Sequence, residues 1–221
     1  KNRCSTITLF DAGPKILPTV SESERQFIKE RLTKLGIIIM ENSPIEEVGS
    51  NFTKLKNGLR AEGDLVIWTA GIKPNSLVNS TNGLPLSING KVKVQSTFQV
   101  EGMQNIFSIG DIIEYNDPKT QKTVPAFAYV AVKQGKVAAE NIIRLIQNRK
   151  TKIYNPFYDV WIIPIGGKFA LAHLWGGWLV KGFLGWVVRQ LVDIKYLLSI
   201  FPILKALEIY WNEVTIFSKN D

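Results

Sequence analysis

The chain has 221 residues, enough for one large or two small domains with a substantial core. A composition of 45% hydrophobic, 10% aromatic and 21% charged residues speaks against a disordered chain, a lone Cys4 excludes an internal disulfide framework and a multi-cysteine metal site, and a lone His173 leaves little room for histidine-based metal sites or triads. With 27 Lys+Arg against 19 Asp+Glu the formal charge is +8, so one face is expected to meet an acidic partner: nucleic acid, lipid headgroups or a phosphorylated ligand.

The chain opens at Lys1 on a strand pattern, and no basic segment followed by an apolar run reads as a signal peptide. Residues 5–10 (STITLF) predict a buried strand that stops at Asp11-Ala12-Gly13-Pro14. Ser21 with Glu24 three positions on predicts a capped helix carrying Phe27, Ile28, Leu32 and Leu35, ended by Gly36. Residues 36–40 predict the next strand, completing the strand–helix–strand unit of a parallel α/β sheet. A small meander is expected over 45–62, with turns at Gly49-Ser50-Asn51 and Asn57-Gly58. Residues 64–68 (DLVIW) predict a strand emptying into Thr69-Ala70-Gly71, and residues 105–109 a buried strand ending at Gly110-Asp111. Between them, residues 86–88 and 92–94 read as extended segments around Asn89-Gly90. Residues 124–147 predict a long helix with small residues on one side: Ala128, Ala131, Gly135, Ala138 and Ala139. Residues 150–156 read as a linker, after which aromatics concentrate.

Three strand ends carry candidate chemistry. Asp11 stands where a dinucleotide-binding unit places the acid that accepts from ribose hydroxyls; the plain alternative is an Asx turn closing a strand. No G-x-G-x-x-G precedes it anywhere in the chain. Ala70 and Gly71 are small enough for backbone to approach a bulky cofactor, and Gly110-Asp111 offers a carboxylate to a ribose or ribityl hydroxyl. Each alone is a common turn. Their ordered succession is much harder to attribute to chance.

With these marks in order, the sequence resembles the flavoprotein reductases built on two dinucleotide-binding domains, and matches their carboxyl-terminal half. Phe10-Asp11-Ala12-Gly13-Pro14, Trp68-Thr69-Ala70-Gly71 and Gly110-Asp111 look most like type II NADH dehydrogenases, the single-subunit NADH:quinone oxidoreductases. The resemblance implies an α/β, three-layer Rossmann-like fold followed by an amphipathic helical membrane-associating region. Residues 1–75 would close an NAD-binding domain, 76–150 an FAD-binding domain, and 151–221 would form the membrane region. It also implies NADH and FAD as cofactors, with hydride passing from NADH to flavin and electrons on to a membrane quinone. Asp11 would face the NAD ribose, Ala70 and Gly71 would line the crossing between cofactors, and Gly110-Asp111 would hold the FAD ribityl. Ala128 and Tyr129 would bring a helix amino end to the flavin ring, where its dipole stabilises negative charge. Where the family usually shows Ala-Gln-x-Ala-x-Gln, this chain reads Ala128-Tyr129-Val130-Ala131-Val132-Lys133, so Tyr129 and Lys133, with Arg189 from the tail, are the quinone-site candidates. The missing glycine-rich turns lead us to expect a catalytically empty fragment. Its alternative is a non-catalytic membrane-associating or dimerising domain with incomplete nucleotide sites.

The tail leads through Trp175-Gly176-Gly177-Trp178 into a helix over 181–201. Phe183, Val187, Leu191, Ile194 and Leu198 share its apolar face, and Lys181, Gly185, Arg189 and Asp193 another. Lys181, Arg189 and Lys195 interrupt the run before it reaches the ~18 apolar residues of a spanning helix. The expected placement is peripheral, on the cytoplasmic side of a cell membrane, with Trp178, Trp186 and Tyr196 at an anionic lipid interface. The alternative cover for this stripe is the chain's own core or a second copy. Scattered basic residues speak against nucleic acid, and His173 reads as a satisfied structural residue because the dithiol and the His-Glu pair of disulfide reductases are missing.

Overall fold

The computed structural model describes residues 6–217; Cys4 and Ser5, the first residue of the expected opening strand, lie outside the described residues. The chain divides into two compact units, one taking in the chain up to Thr69 and again from Val160, the other Ala70–Asp159.

In the first unit, β1 (Thr8–Phe10) and β2 (Ile38–Met40) pair in parallel, Leu9 opposite Ile39, across α1 (Glu22–Lys34). The predicted cap forms reciprocally: the Ser21 hydroxyl accepts from the Glu24 backbone while the Glu24 carboxylate accepts from the Ser21 backbone. β3 (Ile45–Val48), β4 (Phe52–Leu55) and β5 (Arg60–Glu62) form the expected antiparallel meander. Residues 64–68 differ from expectation. They form no strand, and Leu65 and Ile67 are about three-quarters exposed. A β-branched run becomes a strand only against a neighbour that takes its backbone hydrogen bonds, and no described strand pairs with it.

A second antiparallel sheet of this unit was not foreseen: β8 (Trp161–Pro164), β9 (Ala170–Leu174) and β10 (Trp178–Lys181), in the order β10-β9-β8. Its aromatic-rich composition is that of strands, with Gly166 and Gly167 at positive φ in the first connection and Gly176 and Gly177 in the second. Ile28 of α1 packs with Ile165 and Leu171 in one core, edged by Phe27, Trp161 and Phe169. Phe27 stacks on Phe169 with centroids 5.4 Å apart.

The expected tail helix appears as α4 (Gly182–Leu198), followed by an unforeseen α5 (Ile203–Phe217) after the break at Pro202. Face assignment needs correction. Gly185, which the sequence placed with Lys181 and Arg189 on the polar face, is buried against β9, while Phe183, Leu191 and Leu198 of the apolar stripe stand exposed. A helix carrying glycine at the contact lies closer to a sheet than side-chain packing permits, so the smallest residue chose the packing face.

In the second unit, β6 (Val92–Lys93) and β7 (Ile113–Glu114) pair in parallel, extended by antiparallel bridges Leu86–Val92, Val94–Val100 and Gln99–Phe107. The expected strand over 105–109 reduces to the last of these bridges, with Ile106 at the surface. α3 (Ala128–Ile146) starts four residues later than expected, after a tight turn in which Phe127 N–H donates to Pro125 O and Phe127 itself is extended. The core joins Val92, Val94, Phe98, Val100, Ile113 and Ala138, closed by the aromatic trio Phe98, Tyr115 and Tyr154. Tyr154 thus ties the presumed linker into the core, its backbone N–H donating to Ser96 O. Asn141, fully buried, donates to the carbonyls of Thr97 and Lys152 and accepts from the Lys152 amide at 2.7 Å.

Candidate functional site

Asp11 ends β1 as an Asx turn, its Oδ1 accepting from the Gly13 amide at 2.8 Å. Its backbone is pinned from both sides, the N–H donating to Met40 O and the carbonyl accepting from Ser43 N. The remaining carboxylate oxygen has no recorded partner among the described residues. A single side chain can therefore serve the turn and still present an acceptor. Ala70 and Gly71 are exposed, Gly71 with φ +105°, a backbone open to close approach.

The second unit contains an open crevice lined by Lys91, Gly110, Asp111, Tyr115, Pro125 to Phe127, Val130, Ala131 and Gln134 among others. Gly110 and Asp111 open a 3₁₀ turn, Gly110 at φ +76°. A Cβ there would sit 3.8 Å from Ala131 Cβ, so the turn rests against the first turn of α3. Gln134 locks the two together: buried, it accepts from the Gly110 amide through Oε1 at 2.7 Å. The sequence reading missed this residue. Its signal was the spacing Val130, Gln134, Ala138, Asn141, which is the buried row of α3.

α3 starts without a side-chain cap, Phe127 being its N-cap residue. The Val130 and Ala131 amides donate to Phe127 O, so the Ala128 and Tyr129 amides are the ones that no side chain caps, at the positive dipole end of a helix whose Phe127, Val130 and Ala131 line the crevice. The Asp111 carboxylate is exposed and bonded to no described side chain. At the inner wall, burial, then the nearby Asp117 and Tyr154, push the Tyr115 phenol up, which keeps it neutral as it donates to Tyr154 O. The arrangement thus offers one carboxylate to accept from hydroxyls and helix amides to meet negative charge, on an open surface where polar atoms predominate, groups suited to a flavin's polyol chain and ring edge.

Of the predicted site residues, Gly110 and Asp111 line this crevice, while Ala128 and Tyr129 lie outside its lining, between Phe127 and Val130, which belong to it. Ala128 is exposed at the helix start, and Tyr129 stacks on Phe127 at 5.9 Å. Lys133 Nζ lies 5.6 Å from the Tyr129 ring centre and 4.9 Å from that of Phe157, an ammonium clasped between two aromatic faces. Ala70 and Gly71 are outside the crevice lining, and Asp11 and Arg189 belong to the other compact unit, Arg189 paired with Asp193 at 3.2 Å. His173 lies in that unit too, bonding Glu24 through Nδ1 at 2.6 Å and stacking on Trp161, as its structural reading requires.

Residues 1–135 match the family model of the pyridine nucleotide-disulphide oxidoreductases. The chain belongs to this family. Among curated relatives, the type II NADH:quinone oxidoreductase of Haemophilus influenzae is 29% identical over 154 residues, covering 68% of this chain and 34% of that protein. Apoptosis-inducing factor homolog A of Dictyostelium discoideum is 33% identical over 172 residues, covering 69% of this chain and 40% of that protein. The chain thus spans about a third to two fifths of these relatives. Among solved structures, NDH2 from Plasmodium falciparum in complex with NADH superimposes with a TM-score of 0.74 at 15% identity, over 95% of this chain and 57% of that one. This likeness establishes the Rossmann-like α/β fold that the sequence resemblance implied.

Proposed function

We propose that these 221 residues are the carboxyl-terminal part of an FAD-dependent NADH dehydrogenase that delivers electrons to a membrane quinone. The observation that supports this best is the crevice in which an unpaired carboxylate, Asp111, meets the uncapped amino end of α3. When bound, FAD supplies hydride acceptance from NADH and electron delivery to the quinone. Asp111 accepts hydrogen bonds from the ribityl hydroxyls, and Gln134 holds Gly110 so that the carboxylate keeps its place. The Ala128 and Tyr129 amides and the helix dipole favour negative charge on the ring edge. Asp11 takes the NADH ribose hydroxyls with the oxygen that the Asx turn leaves over. Backbone at Ala70 and Gly71 is bare enough to lie against the cofactor.

Tyr129 and Lys133 serve the quinone. An ammonium between two rings offers a charge-assisted donor to a quinone carbonyl where the family usually carries an amide, and Phe157 and Tyr129 offer apolar faces to its ring. Arg189 is the candidate contributed by the tail. The longer dehydrogenase of which these residues are proposed to be part is expected to be yellow and bleached by NADH, whereas the 221 residues by themselves are expected to be catalytically empty. Asp111→Ala should weaken FAD binding about tenfold or more, the worth of hydrogen bonds to a charged group. Undiminished flavin content at purification would remove Asp111 from the cofactor site.

A further inference from the structure

We propose that Lys91 is the cation that pairs with the phosphate-bearing chain of the flavin nucleotide, an assignment that rests on the function proposed above. The parallel register sets Val92 opposite Ile113, so Lys91 stands level with Ile112, the residue after Asp111. On the other flank, Gly110 is bound by Gln134 and rests against Ala131. The Gly110-Asp111 turn therefore lies between Lys91 and the first turn of α3, and all line one crevice. Lys91 is half-buried, and no carboxylate among the described residues pairs with its ammonium. Its backbone is fixed: the Ser87 amide donates to Lys91 O at 2.8 Å, and the Lys91 amide donates to Ser87 Oγ at 3.3 Å.

A flavin with its ring at the α3 amino end and its ribityl hydroxyls at Asp111 continues past Asp111 away from the helix. The next group along a flavin nucleotide is phosphate. A phosphate next to the Asp111 carboxylate is repelled unless a cation stands on that side, and Lys91 is the crevice-lining residue that supplies one. The half-buried, unpaired ammonium and the missing counter-charge of the ligand answer each other.

The test uses the full-length enzyme of which these residues are proposed to be part, stripped of flavin and titrated with FAD, FMN and riboflavin while flavin fluorescence is followed. Lys91→Gln should weaken FAD and FMN about tenfold, as loss of a charge-assisted contact does, leave riboflavin unchanged and flatten the salt dependence of FAD binding. Lys91→Arg should restore the FAD affinity. Equal loss for all three ligands, or undiminished FAD affinity in Lys91→Gln, overturns the assignment while leaving the flavin site standing. If the unmodified protein binds none of the three, the proposed function falls and Lys91 falls with it.

Discussion

Glu24 carries three duties at once. It closes the α1 capping box, it is almost fully buried, and it holds His173 of β9 at 2.6 Å. Burial pushes its carboxyl up, but the hydrogen bonds from His173 and Ser21 outweigh burial and hold it below the usual carboxylate range. A carboxyl lowered on folding stabilises the native state above its unfolded value, roughly pH 4.3, and that contribution drains away as pH falls through the folded value. Glu24→Gln should therefore lower stability near neutrality and flatten its decline below about pH 4.3, because the amide no longer titrates. Denaturant unfolding at a series of pH values reads this directly. An acid limb as steep in Glu24→Gln as in the parent would show that other carboxylates set it.

At the scale of the element, α4 is governed by Gly185. A Cβ added there would fall onto the carbonyl oxygen of Ala170 and within 2.8 Å of that of Val180, both backbone atoms that cannot swing aside. Gly185→Ala should cost about 1–3 kcal/mol despite the helix propensity it adds, seen as a lowered unfolding midpoint. A stabilised variant would mean that α4 sits farther from β9. This helix also marks where sequence legibility ends. The existence of α4 follows from its period, but the period placed Gly185 among Lys181, Arg189 and Asp193, since it ranks residues by polarity and a glycine contact depends on distance. The strand–helix–strand opening was legible because Ser21, Glu24 and Gly36 punctuate it chemically. Residues 64–68 misled because a strand is a property of a pair. In the proposed site, Asp111 was a candidate from the Gly-Asp pair, although the strand expected before it reduced to one bridge, whereas Lys91 and Gln134 are isolated polar residues whose proposed roles arise only when β6 and α3 flank the same turn.

At the scale of the whole molecule, the chain carries excess positive charge, and α4 and α5 expose apolar side chains. The formal charge is +8, and Phe183, Leu184 and Leu191 on α4 with Ile203 and Leu204 on α5 are all more than half exposed. No helix among the described residues is long and apolar enough to cross a membrane. We propose that this surface seats peripherally on anionic lipid, each nearby Lys or Arg adding about 1 kcal/mol. Co-sedimentation with vesicles containing phosphatidylserine should fall in Phe183→Asp and in high salt. Equal sedimentation of parent and variant would point instead to a second copy of the chain as the cover for this surface, which a concentration-dependent mass would reveal. The glycine seat of α4 bears on how such a surface can diversify. Because main chain meets main chain there, the spacing is set without help from the outward residues, and those residues are free to change greasiness or bulk over generations while the scaffold beneath them keeps its dimensions.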